Sequence, residues 1–224
     1  EEALDFIKKN KQLIIYKFAD QDTYIPDQKP VSLFMAGSPG AGKTEISKRL
    51  IEKFLNQPVR IDADEIRELV PGYKGINAYI FQAAANKGVN VLYDHILHNN
   101  LNVILDGTFA YRGVEENIKR SLKHNRDVQI YYIYQEPEIA WEYTKKREEI
   151  EHRRVSKELF ITSFFKAREN VIMIKDIFRD KIDLNIIVKN FKTETEQIIL
   201  NIDSIDNYVL LKYTKEDLER LLIL

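Results

Sequence analysis

The chain has 224 residues, of which 44% are hydrophobic and 31% charged, a mixture that can bury a core and argues against a disordered chain. Lysine plus arginine number 34 against 35 acidic residues, so the net charge of −1 speaks against a protein that coats nucleic acid or anionic lipid. Cysteine is absent, which excludes disulfides, thiolate catalysis and cysteine-bound zinc.

Residues 3–20 have the spacing of an amphipathic helix, with Leu4, Ile7, Leu13 and Ile14 on its apolar stripe. A proline-containing connector, Gln21–Pro30, comes next. Val31–Ala36 reads as a buried strand that ends in glycines, and Lys43–Leu55 as a helix. A second strand is expected over Val59–Asp62, then a short helix over Ala63–Val70 and a long one over Ala78–His98, with Gly88 as a candidate break. Asn102–Asp106 is a third strand, Val114–His124 a helix and Val128–Tyr134 a fourth strand. Pro137 opens a further helix, as proline suits a first turn. A long helix after Ser156 and a fifth strand in Leu184–Lys189 complete the alternation.

Strand and helix in this rhythm predict an α/β fold, a mostly parallel five-stranded sheet covered by helices on both faces. The tail departs from the rhythm. Glu196–Ile202 and Tyr208–Tyr213 read as a terminal hairpin, and Thr214 as the cap of a last helix, Lys215–Leu222. The expectation is one domain, 1–224, with its core over 31–190, an N-terminal helix over 3–20 and an extension over 191–224. No apolar run reaches the ~20 residues of a membrane span. The first residues, Glu1 to Asp5, also lack the basic-then-apolar pattern of a signal peptide, so a cytoplasmic protein with no membrane partner is expected.

Gly37-Ser38-Pro39-Gly40-Ala41-Gly42-Lys43-Thr44 satisfies G-x-x-x-x-G-K-[ST]. In such a loop the glycines let backbone N–H groups turn toward phosphate oxygens at the start of a helix. Lys43 then reaches the β and γ phosphates and Thr44 offers its hydroxyl to Mg²⁺. The pattern arises by chance in roughly one chain of this length in a hundred. Here it also has the required context, directly after an apolar strand and before a helical run.

Two carboxylate steps narrow the class. Ile61-Asp62-Ala63-Asp64-Glu65 ends the second strand, where an open α/β sheet places its ligand crevice. Asp64 is there the candidate base for an attacking hydroxyl, and the other aspartate a helix cap. Asn102–Asp106 followed by Gly107-Thr108 is an apolar strand ending in an acid, the form of a Walker B strand whose Asp106 orients Mg²⁺. The Asn-Lys-x-Asp guanine motif is missing: Asn86-Lys87-Gly88-Val89 does not supply it. ATP is therefore the expected donor, with GTP left open, and a small kinase fits the length.

The run Lys145 to Arg154 is a charged helix face in which Arg147 and Arg154 stand seven residues apart. On a continuous helix they would share a face and could neutralise a phosphoryl group in flight. Arg168 and Arg179 read as surface residues of the next helix.

This ordered set resembles the zeta toxin family of phosphate-loop kinases, whose typical members phosphorylate UDP-N-acetylglucosamine at the sugar 3′-hydroxyl. The set is the phosphate loop, Ile-Asp-x-Asp, a strand ending acid-Gly-Thr, and Arg-Glu-Glu followed by Arg-x-[ST]. The resemblance covers about 31–190. It implies Lys43 and Thr44 at ATP and Mg²⁺, Asp64 as the base, and Arg147 with Arg154 as phosphate clamps, Arg153 being a close rival to Arg154. It also implies an acceptor contact at Thr108 and an antitoxin partner, for which the N-terminal helix is a candidate contact.

Toxins of this family hold the sugar nucleotide with a glutamate on the long helix before the Walker B strand. An ungapped count puts Asn90 at that place, with Asp94 one turn later. The acceptor is accordingly left as a small molecule bearing a hydroxyl. A nucleoside, a polynucleotide end or an antibiotic is the alternative acceptor, although the neutral charge disfavours a long nucleic acid. A nucleotide-binding regulatory protein without transfer is the alternative of a different class.

Overall fold

A computed structural model describes residues 1–151, 154–190 and 195–222. The central element is β1 (Val31–Ala36), whose side chains are buried on both faces. It pairs in parallel with β3 (Val103–Asp106) on one side and β4 (Asp127–Gln135) on the other. Beyond β3 lies β2 (Val59–Asp62), and beyond β4 lies β5 (Asp183–Asn190), both parallel to their neighbours. The sheet then gains a sixth strand, β6 (Thr195–Ile199), antiparallel to β5, giving the order β2-β3-β1-β4-β5-β6.

The sixth strand corrects the sequence reading. The apolar segment after 195 pairs back on β5 and forms no hairpin with 208–213, which contains no strand. The chain continues into a 3₁₀ turn (Ile205–Asn207) and the helix α9 (Lys215–Leu221), capped as expected by Thr214 in a capping box with Asp217. Ile202, Ile205, Val209 and Leu218 are all buried in the main core, so the extension packs against the same core as the sheet.

The N-terminal stretch also differs from the single expected helix. It forms α1 (Glu2–Lys9) and α2 (Lys11–Phe18), separated at Asn10, whose Nδ2 donates back to the Phe6 carbonyl at 2.8 Å. Both pack on α5 (Gln82–His98) through the fully buried Ile7 and Ile14. The long helix begins at Gln82, four residues later than read, and runs unbroken through Gly88. A Cβ at Gly88 would stand 2.5 Å from Cγ2 of Ile66, so this glycine allows close packing against α4 (Ala63–Glu68).

One face of the sheet is covered by α3 (Lys43–Ile51), where Leu33, Met35, Ile104 and Ile133 meet Ile46. The larger core on the other face takes α5, α6 (Val114–Lys123) and α8 (Lys157–Phe178). The connection from β1 therefore crosses one face while those from β3 and β4 cross the other. Loops diverge around the C-terminal end of β1, which opens the ligand crevice of such sheets. Among the described residues, no helix is long and apolar enough to cross a membrane.

Arg168 is a further correction. It is buried rather than on the surface, and its guanidinium pairs with Asp206 and donates to the Val209 carbonyl at 2.6 Å. Arg179 is exposed, as read.

Candidate functional site at the head of the central strand

The loop 37–44 joins β1 to α3 through three glycines in the left-handed region, Gly37 (φ 139°), Gly40 (71°) and Gly42 (90°). Only glycine adopts these angles freely, and the surroundings enforce it twice. A Cβ at Gly37 would come 2.4 Å from the Ile133 carbonyl oxygen, and one at Gly40 only 1.9 Å from that of Ala140. The loop is pinned by Gly37 N, which donates to the Thr108 carbonyl at 3.1 Å. The Lys43 ammonium folds back to donate to the Ser38 carbonyl at 2.6 Å. Pro39 and Ala41 complete a cradle in which Ser38 and Ala41 are buried.

Asp106 stands at the end of β3, next to this loop, with its side chain almost wholly buried. Its Oδ2 accepts from Ser47 Oγ (2.7 Å), a hydroxyl shared with the Thr44 carbonyl at 3.0 Å. Arg60 of β2 binds the same carboxylate oxygen through Nε at 2.9 Å, and also pairs with Asp62 (2.7 Å) and Glu65. The reason lies in the register. Asp62 and Asp106 are direct cross-strand partners, a juxtaposition of like charges that destabilises a sheet unless a cation bridges it. Three carboxylates around it keep the Arg60 guanidinium charged, while burial and the adjacent Asp64 push the Asp62 carboxyl up to about 6.

In the step Ile61–Glu65 the helix cap falls to the first aspartate. Asp62 is the N-cap of α4, its Oδ1 accepting from the Asp64 amide at 2.9 Å. Asp64 sits in the first turn, partly exposed, ion-paired with Arg67 one turn on. Arg67 is 4% exposed; a second nitrogen donates to Gln82 Oε1 at 2.5 Å, and its Nε is buried without a partner. A buried donor left unmade costs about 1–3 kcal/mol.

Gln82 Nε2 donates to Asn86 Oδ1 (2.9 Å), and Asn90 Nδ2 donates to the Asn86 carbonyl at the same distance. Arg120 of α6 then reaches Asn90 (3.3 Å) and pairs with Asp94. Asn90 and Asp94 are thus on an exposed row of α5 that begins at Gln82. They lie about two and three turns from the contact with Arg67. Thr108 sits just past β3, its Oγ1 accepting from the Ala110 amide at 3.3 Å.

The two arginines expected to share a helical face do not. The helix α7 (Pro137–Glu151) ends before Arg154, which lies in the next segment, 73% exposed, with Nε 4.0 Å from Glu148. Arg147 is on α7, exposed, one turn beyond Thr144, whose Oγ1 would lie 2.6 Å from a Cβ at Gly40. The face of α7 that carries Arg147 therefore continues the face that closes over the phosphate loop. Arg153 lies outside the described residues.

The hydroxyl of Thr44 and the carboxylate of Asp106 are donors that fit magnesium, and Ser47 Oγ bonds both the Asp106 carboxylate and the Thr44 backbone carbonyl. Mg²⁺ commonly takes one or two protein oxygens and completes its shell with phosphates and water. Sequence reasoning missed Arg60, Arg67, Gln82 and Ser47. The spacing of Gln82, Asn86, Asn90 and Asp94, one every fourth residue, was a signal that could have found the row.

The family model for zeta toxin matches residues 16–201. The fold resembles a solved structure of the PezAT chromosomal toxin–antitoxin system of the human pathogen Streptococcus pneumoniae. That match has a TM-score of 0.69 at 16% identity, covering 97% of this chain and 87% of the other. It also resembles the AvrRxo1-ORF1:-ORF2 complex with ATP, with a TM-score of 0.64 at 12% identity, covering 92% of this chain and 70% of the other. A comparison with the curated proteins gave no match. Family and fold support an ATP-dependent phosphotransferase. With its phosphate loop, its Ile-Asp-Ala-Asp step and this six-stranded sheet, the chain belongs to the zeta toxin family.

Proposed function

We propose that the protein transfers the γ-phosphate of ATP to a hydroxyl of a small acceptor, with UDP-N-acetylglucosamine as the first candidate. The observation that carries the reading is a glycine-enforced phosphate cradle after β1 and a carboxylate, Asp64, in the first turn after β2, two parallel strands whose C-terminal ends lie at the same end of the sheet.

Asp64 accepts the proton of the acceptor hydroxyl as its oxygen bonds to the γ-phosphorus. The bond from phosphorus to the β–γ bridging oxygen breaks and ADP leaves. Lys43 neutralises charge on the β and γ phosphates, releasing its contact with the Ser38 carbonyl to do so. Arg147, one turn past Thr144, meets the transferring group from the α7 side, and Arg154 joins it from the connection to α8. Thr44 and Asp106 would hold Mg²⁺, which would supply charge neutralisation at the phosphates. Asn90, Asp94 and Thr108 are acceptor-side contacts, joined here by Gln82 and Asn86 of the same row. The relation to a toxin–antitoxin system also supports a protein partner. The N-terminal helices, docked on α5 but exposing Leu13 and Tyr16, are the proposed place for it.

The test is mass spectrometry of a metabolite pool incubated with protein, ATP and Mg²⁺, with Lys43→Ala in parallel. A product heavier by one phosphoryl group should form with the parent and not with the variant, whose circular dichroism and melting should match the parent. Equal turnover by Lys43→Ala would refute the phosphotransfer reading.

A further inference from the structure

We propose that Arg67 is the positioning residue for the Asp64 carboxylate, and that Gln82 couples it to an acceptor rich in hydroxyl groups laid along α5. The inference rests on the reading of Asp64 as the base. Arg67 lies one turn after Asp64 and is almost wholly buried, so its guanidinium is confined. One nitrogen donates to Asp64 on α4 and another to Gln82 on α5. A planar fork held on two helices fixes a carboxylate more tightly than a single point charge can. Misplacement by about 1 Å in such an arrangement reduces turnover by about 100-fold.

Gln82 is exposed and opens the polar row Gln82, Asn86, Asn90 and Asp94. Amides both donate and accept, so this row matches hydroxyl groups, and Arg120 closes its far end. An acceptor bound there contacts Gln82, whose carbonyl oxygen holds the Arg67 guanidinium. Occupancy of the row is thereby linked to the placement of the base. A tie that merely joins α4 to α5 is the competing account, and it predicts lost stability without a selective loss of turnover.

The experiment measures ³²P transfer from [γ-³²P]ATP with Mg²⁺ to a deproteinised small-molecule cell extract, as a function of extract concentration. Affinity for a fluorescent ATP analogue and the melting temperature are read alongside. Arg67→Met should lower the plateau rate about 100-fold, close to Asp64→Asn, with ATP affinity unchanged within about twofold. Arg67→Lys should recover only a minor part of the loss, because a cation is restored without the fork. Gln82→Leu should lower the plateau about 10-fold and raise the half-saturating extract concentration. A plateau in Arg67→Met within twofold of the parent, beside an impaired Asp64→Asn, overturns the inference and leaves the base intact. An unimpaired Asp64→Asn, or no incorporation by the parent, overturns the underlying reading instead. Should Arg67→Met not fold, an unchanged plateau and half-saturation in Gln82→Leu overturns the proposal.

Discussion

Asp62 faces Asp106 across the β2–β3 pair, at the mouth of the site. Its carboxyl is raised from 3.8 to about 6, first by burial and then by the charge of Asp64. A carboxyl raised on folding favours the protonated native state. The stability it contributes is fully present below about pH 4 and is lost as pH rises through about 6. Asp62→Asn, which keeps the cap, should therefore be more stable than the parent at pH 7.5, by about 1–3 kcal/mol. The two should converge near pH 4. Urea midpoints from pH 4 to 7.5 give the check, and a variant less stable than the parent at pH 7.5 would reverse the sign of the argument. The cap at Asp62 was legible in the sequence because a carboxylate directly after a strand caps the next helix. The sequence did not single out Arg60 or Arg67, since an arginine in a four-residue strand or a six-residue helix reads as solvated until packing buries it.

At the scale of elements, the meeting of α4 and α5 decides where Asp64 and Gln82 stand. Gly88 permits that meeting: a Cβ there would stand 2.5 Å from Ile66 Cγ2, on a β-branched side chain that is fully buried and stiff at χ1. Alanine would raise intrinsic helix propensity by about 1 kcal/mol. Overpacking of this kind costs about 1–3 kcal/mol, so Gly88→Ala is expected to lower the melting temperature on balance. Truncating the opposing side chain tests the cause. In an Ile66→Ala background the same substitution should cost less, giving a coupling energy of about 0.5 kcal/mol or more. Additivity in that double-mutant cycle would mean that the contact is not what makes glycine necessary. Read from the sequence, Gly88 was a candidate helix break, because a mid-helix glycine looks the same whether it ends a helix or admits a neighbour. The shared helical face of Arg147 and Arg154 is absent for a related reason: spacing predicts one only on a continuous helix, and Arg154 lies outside α7.

Over the whole molecule, the segment after β5 closes the domain. β6 extends the sheet, and Arg168 of α8 clasps the stretch before α9 through Asp206 and the Val209 carbonyl. Arg168→Met should cost about 1–3 kcal/mol, chiefly by leaving a buried carbonyl without its donor. The loss should be local. Hydrogen exchange over 201–213 should speed up while β1, β3 and β4 keep their protection, because sub-global opening follows the weakest contacts. Uniform loss of protection across the sheet would instead make this contact part of the global core.

The sequence by itself determined the α/β class, the phosphate loop and the acids at the ends of β2 and β3, and it carried the family resemblance. Each of these is written in local chemistry: glycines where backbone must turn, apolar runs that end in charge, and caps at helix starts. Only the tertiary structure decided which strand lies beside which, that 195–199 joins the sheet, that Arg60 bridges Asp62 and Asp106, and that Asp64 reaches α5 through Arg67. These depend on contacts between residues far apart in the chain. Burial and partner are properties of the packed assembly, and the same arginine is a solvated charge or a fixed clamp according to what folds against it.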